Sequence, residues 1–292
     1  MERIFITPLA KRLAHINKID PNLLTGSGPR GRIIKSDVEK IIKKKEFNNS
    51  EKSLKETSIL DEGQKEIIET PKIRKLIADK LTLSKSTIPH FYLRRSVNAD
   101  NLLSVRKNIN DNLNDRNDKI SINDFFIKAS AVALAETPDC NIIWEDEHLV
   151  KFKTANIGVA ISSNSGLYTP TLTDVQSKPL THISNEMKLL ITKANEKSLR
   201  GTDFGECSHA ISNLGMYGVD NFDAIINPPN SSILAIGAVQ NKLEIVNEKT
   251  QNSKIISLTL SVDHRAIDGA TAATFLNKIV FYIENPNLLM IK

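Results

Sequence analysis

A histidine and two aspartates lie between two apolar segments in the stretch Asp263-His264-Arg265-Ala266-Ile267-Asp268-Gly269. Charged and polar groups in such a place are costly to desolvate unless they have partners or work to do. Unperturbed imidazole titrates at about pH 6.5, so a neutral His264 could take a proton from a thiol or hydroxyl at cellular pH. It reads either as a general base or as a histidine hydrogen-bonded at a strand end. Asp268 is close enough to fix a turn or to hold a neighbouring cation.

The elements on either side must position these groups. Ile256, Leu258, Leu260 and Val262 alternate with Ser257, Thr259 and Ser261, which predicts a strand running into the charged turn. After Gly269, the spacing of Ala272, Phe275, Leu276, Ile279, Val280 and Ile283 predicts a helix. Earlier in the chain, Ile73, Leu76, Ile77, Lys80 and Leu81 predict a helix that ends before Pro89, where a strand begins. Residues 122–136 predict an apolar helix. Ile157, Val159 and Ile161 predict a strand that turns at Ser163–Gly166 and continues through Pro170. Residues 182–198 predict a helix burying Ile183, Met187, Leu190, Ile191 and Ala194, followed by strands around Ala210–Ser212 and Ile233–Ala238. Helices and strands mixed without strict alternation indicate an α+β fold.

The N-terminal 45 residues are different in kind. They hold 11 Lys/Arg against 4 Asp/Glu, a net +7, and leave 28 against 30, a net −2, for residues 46–292. Thr7 and Pro8 open a short helix with Leu9, Leu13 and Ile16 as its apolar stripe. Ser36-Asp37-Val38-Glu39 forms a capping box for a second helix burying Val38, Ile41 and Ile42. The loop between them, Gly26-Ser27-Gly28-Pro29-Arg30-Gly31, satisfies G-x-G-x-x-G, yet no strand precedes it and Pro29 interrupts it, so it is no dinucleotide site. A basic module can grip nucleic acid, anionic lipid or an acidic protein surface. With Phe5 as its one aromatic residue, nucleic-acid binding is not expected. Nor is a membrane span, since no apolar run approaches the roughly 18 residues required. Cys140 and Cys207 show no metal spacing and read as reduced thiols. The expected location is the bacterial cytoplasm, or the mitochondrial matrix in a eukaryote.

The string His264-Arg265-x-x-Asp268-Gly269 after an alternating strand resembles the signature of the dihydrolipoamide acyltransferases of the 2-oxo-acid dehydrogenase complexes, relatives of chloramphenicol acetyltransferase. The resemblance extends over Arg74–Ala78, Ser86–Phe91, Gly166–Pro170, Ile211–Met216 and Ile225–Pro229. The Ser212–Pro229 and His264–Ala270 stretches look most like the acetyl-transferring members from pyruvate dehydrogenase complexes. Residues 7–14, 19–20 and 26–33 resemble the family's peripheral-subunit-binding domain. The resemblance implies three parts: an all-α binding domain at 4–44, a flexible linker at 45–70, and at 71–292 an α+β, chloramphenicol-acetyltransferase-like catalytic and core-forming domain with a mixed sheet and flanking helices.

It further implies transfer of an acyl group from dihydrolipoamide to coenzyme A, both as substrates. His264 would be the base, Ser212 the hydroxyl donor to the oxyanion, and Asp268 an orienting group. Without the resemblance, Ser212 reads as a serine on the polar face of a strand. Arg12, Arg30, Arg32 and Lys35 would hold the dehydrogenase and dihydrolipoamide dehydrogenase components. The implied assembly is a homotrimer built into a larger core, with residues 288–291 as contact candidates. No lipoyl domain is recognisable, so the lipoyl group is expected in trans or on a further N-terminal segment. Where the family has paired glycines and an aromatic before Ser212, this chain has Glu206, Cys207 and His209, which raises the expectation of a displaced strand. The rival readings are a largely non-catalytic core and docking subunit, or transfer of succinyl or branched acyl groups.

Overall fold

The computed structural model describes residues 5–17, 19–21, 24–41, 66, 68–113, 119–163, 166–246 and 249–291. Its Cα positions separate into two compact units, 1–69 and 70–292. Most of the stretch expected as a linker, and the buried position expected for Ile42, lie outside the described residues.

In the first unit, α1 (Pro8–Ile16) is capped by Thr7, whose hydroxyl accepts from the Ala10 amide at 3.3 Å. A second helix, α2, occupies 35–41. The buried face of α1 is Ala10 and Ala14, with Leu13 partly buried, while Leu9 and Ile16 point to solvent. The predicted stripe is therefore corrected by one position, because small side chains let these short elements approach closely. Gly26 shows the same crowding: a Cβ there would collide with the backbone of Gly31 and Arg32. The capping box is corrected too. Helix α2 starts at Lys35, and the buried Asp37 does the capping, accepting from the Ile34 amide at 3.0 Å and the Ser27 amide at 2.9 Å. The Ser27 hydroxyl, donating at 2.6 Å, and these two amides hold its carboxyl below the usual carboxylate range.

The second unit is α+β, as expected. Its main sheet has six strands in the order β1 (His90–Asn98), β10 (Lys249–Asp263), β9 (Ser232–Val246), β8 (His209–Asn213), β4 (Ile157–Val159) and β7 (Thr171–Leu172). It is mixed: β8 runs parallel to both β4 and β9, and the other pairings are antiparallel. The hairpins β2 (Ile142–Glu145)–β3 (His148–Lys151) and β5 (Ile161–Ser163)–β6 (Gly166–Tyr168) stand apart from it. The predicted strand through Ile161 is thus broken: the Ala160 amide makes the last bond to β8, at the Ile211 carbonyl, and Ile161 pairs instead with Tyr168 of β6. The turn expected after Ser163 includes positions outside the described residues.

One face of the sheet carries the main core. Ile211, Leu234, Ile236, Leu258, Leu260 and Val262 pack there with α5 (Ile122–Glu136), α6 (Leu180–Asn195) and α7 (Gly269–Glu284). All six residues expected on the inner face of α7 are buried. In α6 the expectation holds except for Ile191, which is exposed. Helix α3 (Lys72–Thr87) has Leu76 and Leu83 exposed, and α4 (Asp100–Asn112) buries only Leu102. The opposite face of the sheet carries a smaller cluster, Ala210, Ile233 and Ala235, covered by Ile88, Phe222, Ala224 and Ile226. The segment 219–230 crosses that face, coming so close to β9 that Gly237 has no room for a Cβ against the Asp220 carbonyl. No described helix is long and apolar enough to cross a membrane.

Candidate active site

Strand β10 ends at Asp263 and α7 begins at Gly269, so His264 sits on a short turn at the edge of the core. Its ring is exposed and rests on Phe91, centroids 4.6 Å apart. Its amide donates to the Pro89 carbonyl at 3.2 Å, tying the turn to the start of β1. The ring nitrogens make no hydrogen bond among the described residues, which leaves them available to a proton on a substrate.

The two carboxylates of the turn have distinct partners. Asp263, 2% exposed, accepts from the Arg265 amide at 2.9 Å and from its guanidinium at 2.8 Å. The guanidinium also lies over the Trp144 ring, 5.6 Å from its centroid. Burial of Asp263 is thereby matched by a fork of charge-assisted donors. Asp268 is the N-cap of α7 and accepts from the Thr271 amide at 2.8 Å. The Thr271 bonds hold its carboxyl below the usual carboxylate range, with His264 contributing last. Among the described residues no arginine pairs with Asp268, and the bonds it makes are those of a helix cap. A cavity of about 410 Å³ opens beside it, between Leu149 and Lys151 on β3 and Thr271 on α7.

Ser212 is half-buried on β8, opposite Ala235 of β9. It shares its face with Ala210, on the side crossed by 219–230. Within one chain it does not meet His264. Ala235 pairs with Thr259, and His264 lies further along that strand, beyond Asp263. With strands ~4.8 Å apart and a rise of ~3.3 Å per residue, the two backbones stand roughly 19 Å from each other.

The replaced glycines leave β8 in place, since it keeps its ladders to β4 and β9 from His209 onward. His209 is fully buried, edge-on to Phe275 at 5.1 Å, and shares a 2.8 Å hydrogen bond with Ser232. Burial pushes its imidazole down to about 3, so the ring is neutral. The Cys140 thiol, buried and near Asp139 and Asp268, is pushed up to about 12. Burial pushes the Cys207 thiol up as well, so both cysteines lack the exposed, electropositive setting of a reactive thiol.

In the first unit Arg12 and Arg32 are exposed, while Lys35 pairs with Glu39 at 3.1 Å; the side chain of Arg30 lies outside the described residues. Phe91 and Trp144 had no assigned role in the sequence. The one available signal was Asp263 itself, an acid at the end of a buried strand, two positions before an arginine.

The family described as 2-oxoacid dehydrogenases acyltransferase (catalytic domain) matches residues 62–291, and the e3 binding domain matches residues 4–39. The dihydrolipoyllysine-residue acetyltransferase component of the pyruvate dehydrogenase complex from Rickettsia bellii is 41% identical, over 99% of this chain and 68% of its own length. Its counterpart from Zymomonas mobilis is also 41% identical, over 97% of this chain and 66% of its own length. Among solved structures, a probable dihydrolipoamide acetyltransferase from Listeria monocytogenes superposes with TM-score 0.72 at 28% identity, covering 76% of this chain and 96% of that one. The dihydrolipoamide acetyltransferase of Azotobacter vinelandii does so with TM-score 0.74 at 26% identity, covering 78% and 96%. Investigation of the Azotobacter protein concerned a serine, a histidine and an asparagine in its catalytic mechanism. Those three are separated by the same intervals as Ser212, His264 and Asp268. On this match across most of its length, the chain belongs to the 2-oxoacid dehydrogenase acyltransferases.

Proposed function

We propose that this chain transfers an acetyl group from S-acetyldihydrolipoamide to coenzyme A and forms the core of a pyruvate dehydrogenase complex. The observation that carries this reading is the exposed imidazole of His264, fixed by Pro89 and Phe91 with its ring nitrogens open to a substrate. A thiol of pKa about 8.5 is only a few per cent ionised at neutral pH. His264 takes the proton of the coenzyme A thiol as sulfur attacks the thioester carbonyl. The Ser212 hydroxyl donates to the oxyanion that forms. Collapse breaks the bond to the lipoyl sulfur, which leaves with the proton held by His264. No acyl-enzyme is formed, in keeping with two buried, protonated cysteines.

The separation of Ser212 from His264 within one chain argues that a complete site takes one residue from each of two copies. A trimer would provide this, and such trimers would build the larger core. Exposed Met216, Tyr217, Met290 and Ile291 are surfaces that assembly would cover. We divide the chain into a binding domain at 4–44, a linker at 45–70 and the catalytic domain at 71–292. Arg12, Arg30 and Arg32 would fork onto carboxylates of the dehydrogenase components, with Lys35 contributing less because Glu39 already pairs with it. The bacterial relatives favour a cytoplasmic setting.

The test is transfer from acetyl-, succinyl- and branched-acyl-dihydrolipoamide to coenzyme A. Acetyl should be preferred, and His264→Ala should lower the rate by roughly 10² or more while assembly survives. Equal turnover in the two proteins would leave only a docking and core subunit.

A further inference from the structure

The segment crossing the Ser212 face is fastened by side chains from three elements. Arg94 on β1 forks onto Asp223 at 2.7 and 2.8 Å, and Ser261 on β10 donates to the Ala224 carbonyl at 2.7 Å. Ile226 is fully buried, and both its peptide groups are served by side chains. Its carbonyl accepts from Ser84 of α3 at 2.5 Å, and its amide donates to Nε2 of His90 at 3.1 Å. The other ring nitrogen of His90, Nδ1, lies 2.9 Å from the Ile88 carbonyl. These two partners fix the tautomer. An amide N–H demands a bare Nε2 and a carbonyl demands a proton on Nδ1, so the ring must be neutral.

His90 also stands between the two residues that hold His264. Pro89 accepts the His264 amide, and Phe91 supports its ring. On the other side, Ile226 and Ala224 cover Ala210 and Ala235, the immediate neighbours of Ser212 on that face. We infer that His90 is a positioning residue whose neutral ring joins the backbone carrying His264 to the segment covering Ser212, and whose protonation disconnects the two. This rests on the acyl-transfer reading above. A protonated Nε2–H would face the Ile226 N–H, donor against donor, and the buried amide would lose its acceptor.

The charged and titratable groups around His90 are Tyr92 and Arg94 on β1, Lys85 of α3 hydrogen-bonded to Tyr92, Asp223 of the crossing segment, and Asp263, its cross-strand partner. The carboxylates of Asp223 and Asp263 are engaged by Arg94 and Arg265 respectively, and neither hydrogen-bonds the His90 ring among the described residues.

Turnover then needs a neutral His264 as base, and its full rate needs a neutral His90 as link. In wild type the logarithm of kcat/KM should fall toward acid more steeply than a slope of about 1 over the interval in which the His90 link is lost, and in His90→Gln with a slope of about 1 throughout. Glutamine carries an acceptor near the position of Nε2 and does not titrate. His90→Ala should lower kcat at least about tenfold with KM changed less than about threefold, and His90→Gln should recover most of that loss. Hydrogen exchange of peptides spanning 222–230, corrected for intrinsic rate, should quicken in His90→Ala, and in wild type on acidification, but not in His90→Gln. Profiles of the same shape in wild type and His90→Gln, or equal exchange in wild type and His90→Ala, would overturn the inference. Absence of acyl transfer by wild type would instead overturn the catalytic reading, and the exchange measurement would still decide the role of His90.

Discussion

Asp263 and Asp268 flank the same imidazole, and their surroundings give them different tasks. Asp263 is buried and locks Arg265, so the backbone on one side of His264 is fixed by a charge-assisted fork. Asp268 accepts a free amide in the first turn of α7, that of Thr271, which fixes the other side. A capping acceptor need not be charged, and asparagine caps about as well as aspartate. The Azotobacter relative has asparagine at the corresponding interval from its histidine. Asp268→Asn should therefore melt close to wild type and retain acetyl transfer within about threefold, whereas Asp268→Ala should lose both thermal stability and rate. Thermal melts and assays of the two variants check this. A large loss of rate in Asp268→Asn with unchanged melting would mean that the charge itself acts in the reaction.

At the scale of elements, strand β8 carries Ser212 at one end and a buried histidine at the other. Nδ1 of His209 shares a hydrogen bond with Ser232, and Nε2 has no partner among the described residues. The native ring resists protonation, with its pKa depressed by burial to about 3, while the unfolded chain takes up a proton near pH 6.5. The stabilising contribution of the neutral ring is complete above pH ~6.5 and is lost progressively as pH falls toward the native value. Between pH 6.5 and 5 the loss is roughly 2 kcal/mol. His209→Phe removes the titration and keeps an aromatic against Phe275, so its denaturant midpoint should fall less than that of wild type over this range. Parallel curves for the two proteins would assign the acid sensitivity elsewhere.

The same scale shows what could be read from sequence. Helix α5 was legible to the residue at both ends, because a continuous apolar run is bounded by a true capping box, Ser121 with Asp124, and by Thr137. The break between β4 and β5 was not legible, since Ile157, Val159 and Ile161 keep alternating and stay buried across the point where pairing passes from β8 to β6. The β2–β3 hairpin was also missed. Its turn is made by Asp146 and Glu147 at positive φ, without the glycine or asparagine that usually signals one. His264, Asp268 and Ser212 are singled out as a set by a family pattern alone. Asp263, Phe91 and Trp144 support the turn through contacts between distant segments, which spacing along the chain does not encode.

At the scale of the whole molecule, the strand register separates Ser212 from His264 by two ladders and several residues. A hydroxyl that far from the base cannot serve the same carbonyl, since donors act at about 3 Å from the developing charge. In a closed ring of copies each interface is equivalent and presents one face of each neighbour. If one copy supplies the base and the next the hydroxyl, a chain lacking Ser212 still offers a good His264, and a chain lacking His264 a good Ser212. Ser212→Ala alone should lose roughly 10²–10³ in rate, and His264→Ala alone a comparable amount. Co-assembled in equal amounts, the two defective chains should regain about one quarter of wild-type activity, the fraction of interfaces that bring the intact residues together. Mixing the same chains after separate assembly should restore nothing unless subunits exchange. If co-assembly fails to raise activity above that of the single variants, both residues act within one chain, and strand β8 must then shift far enough in the sheet to bring Ser212 to the turn.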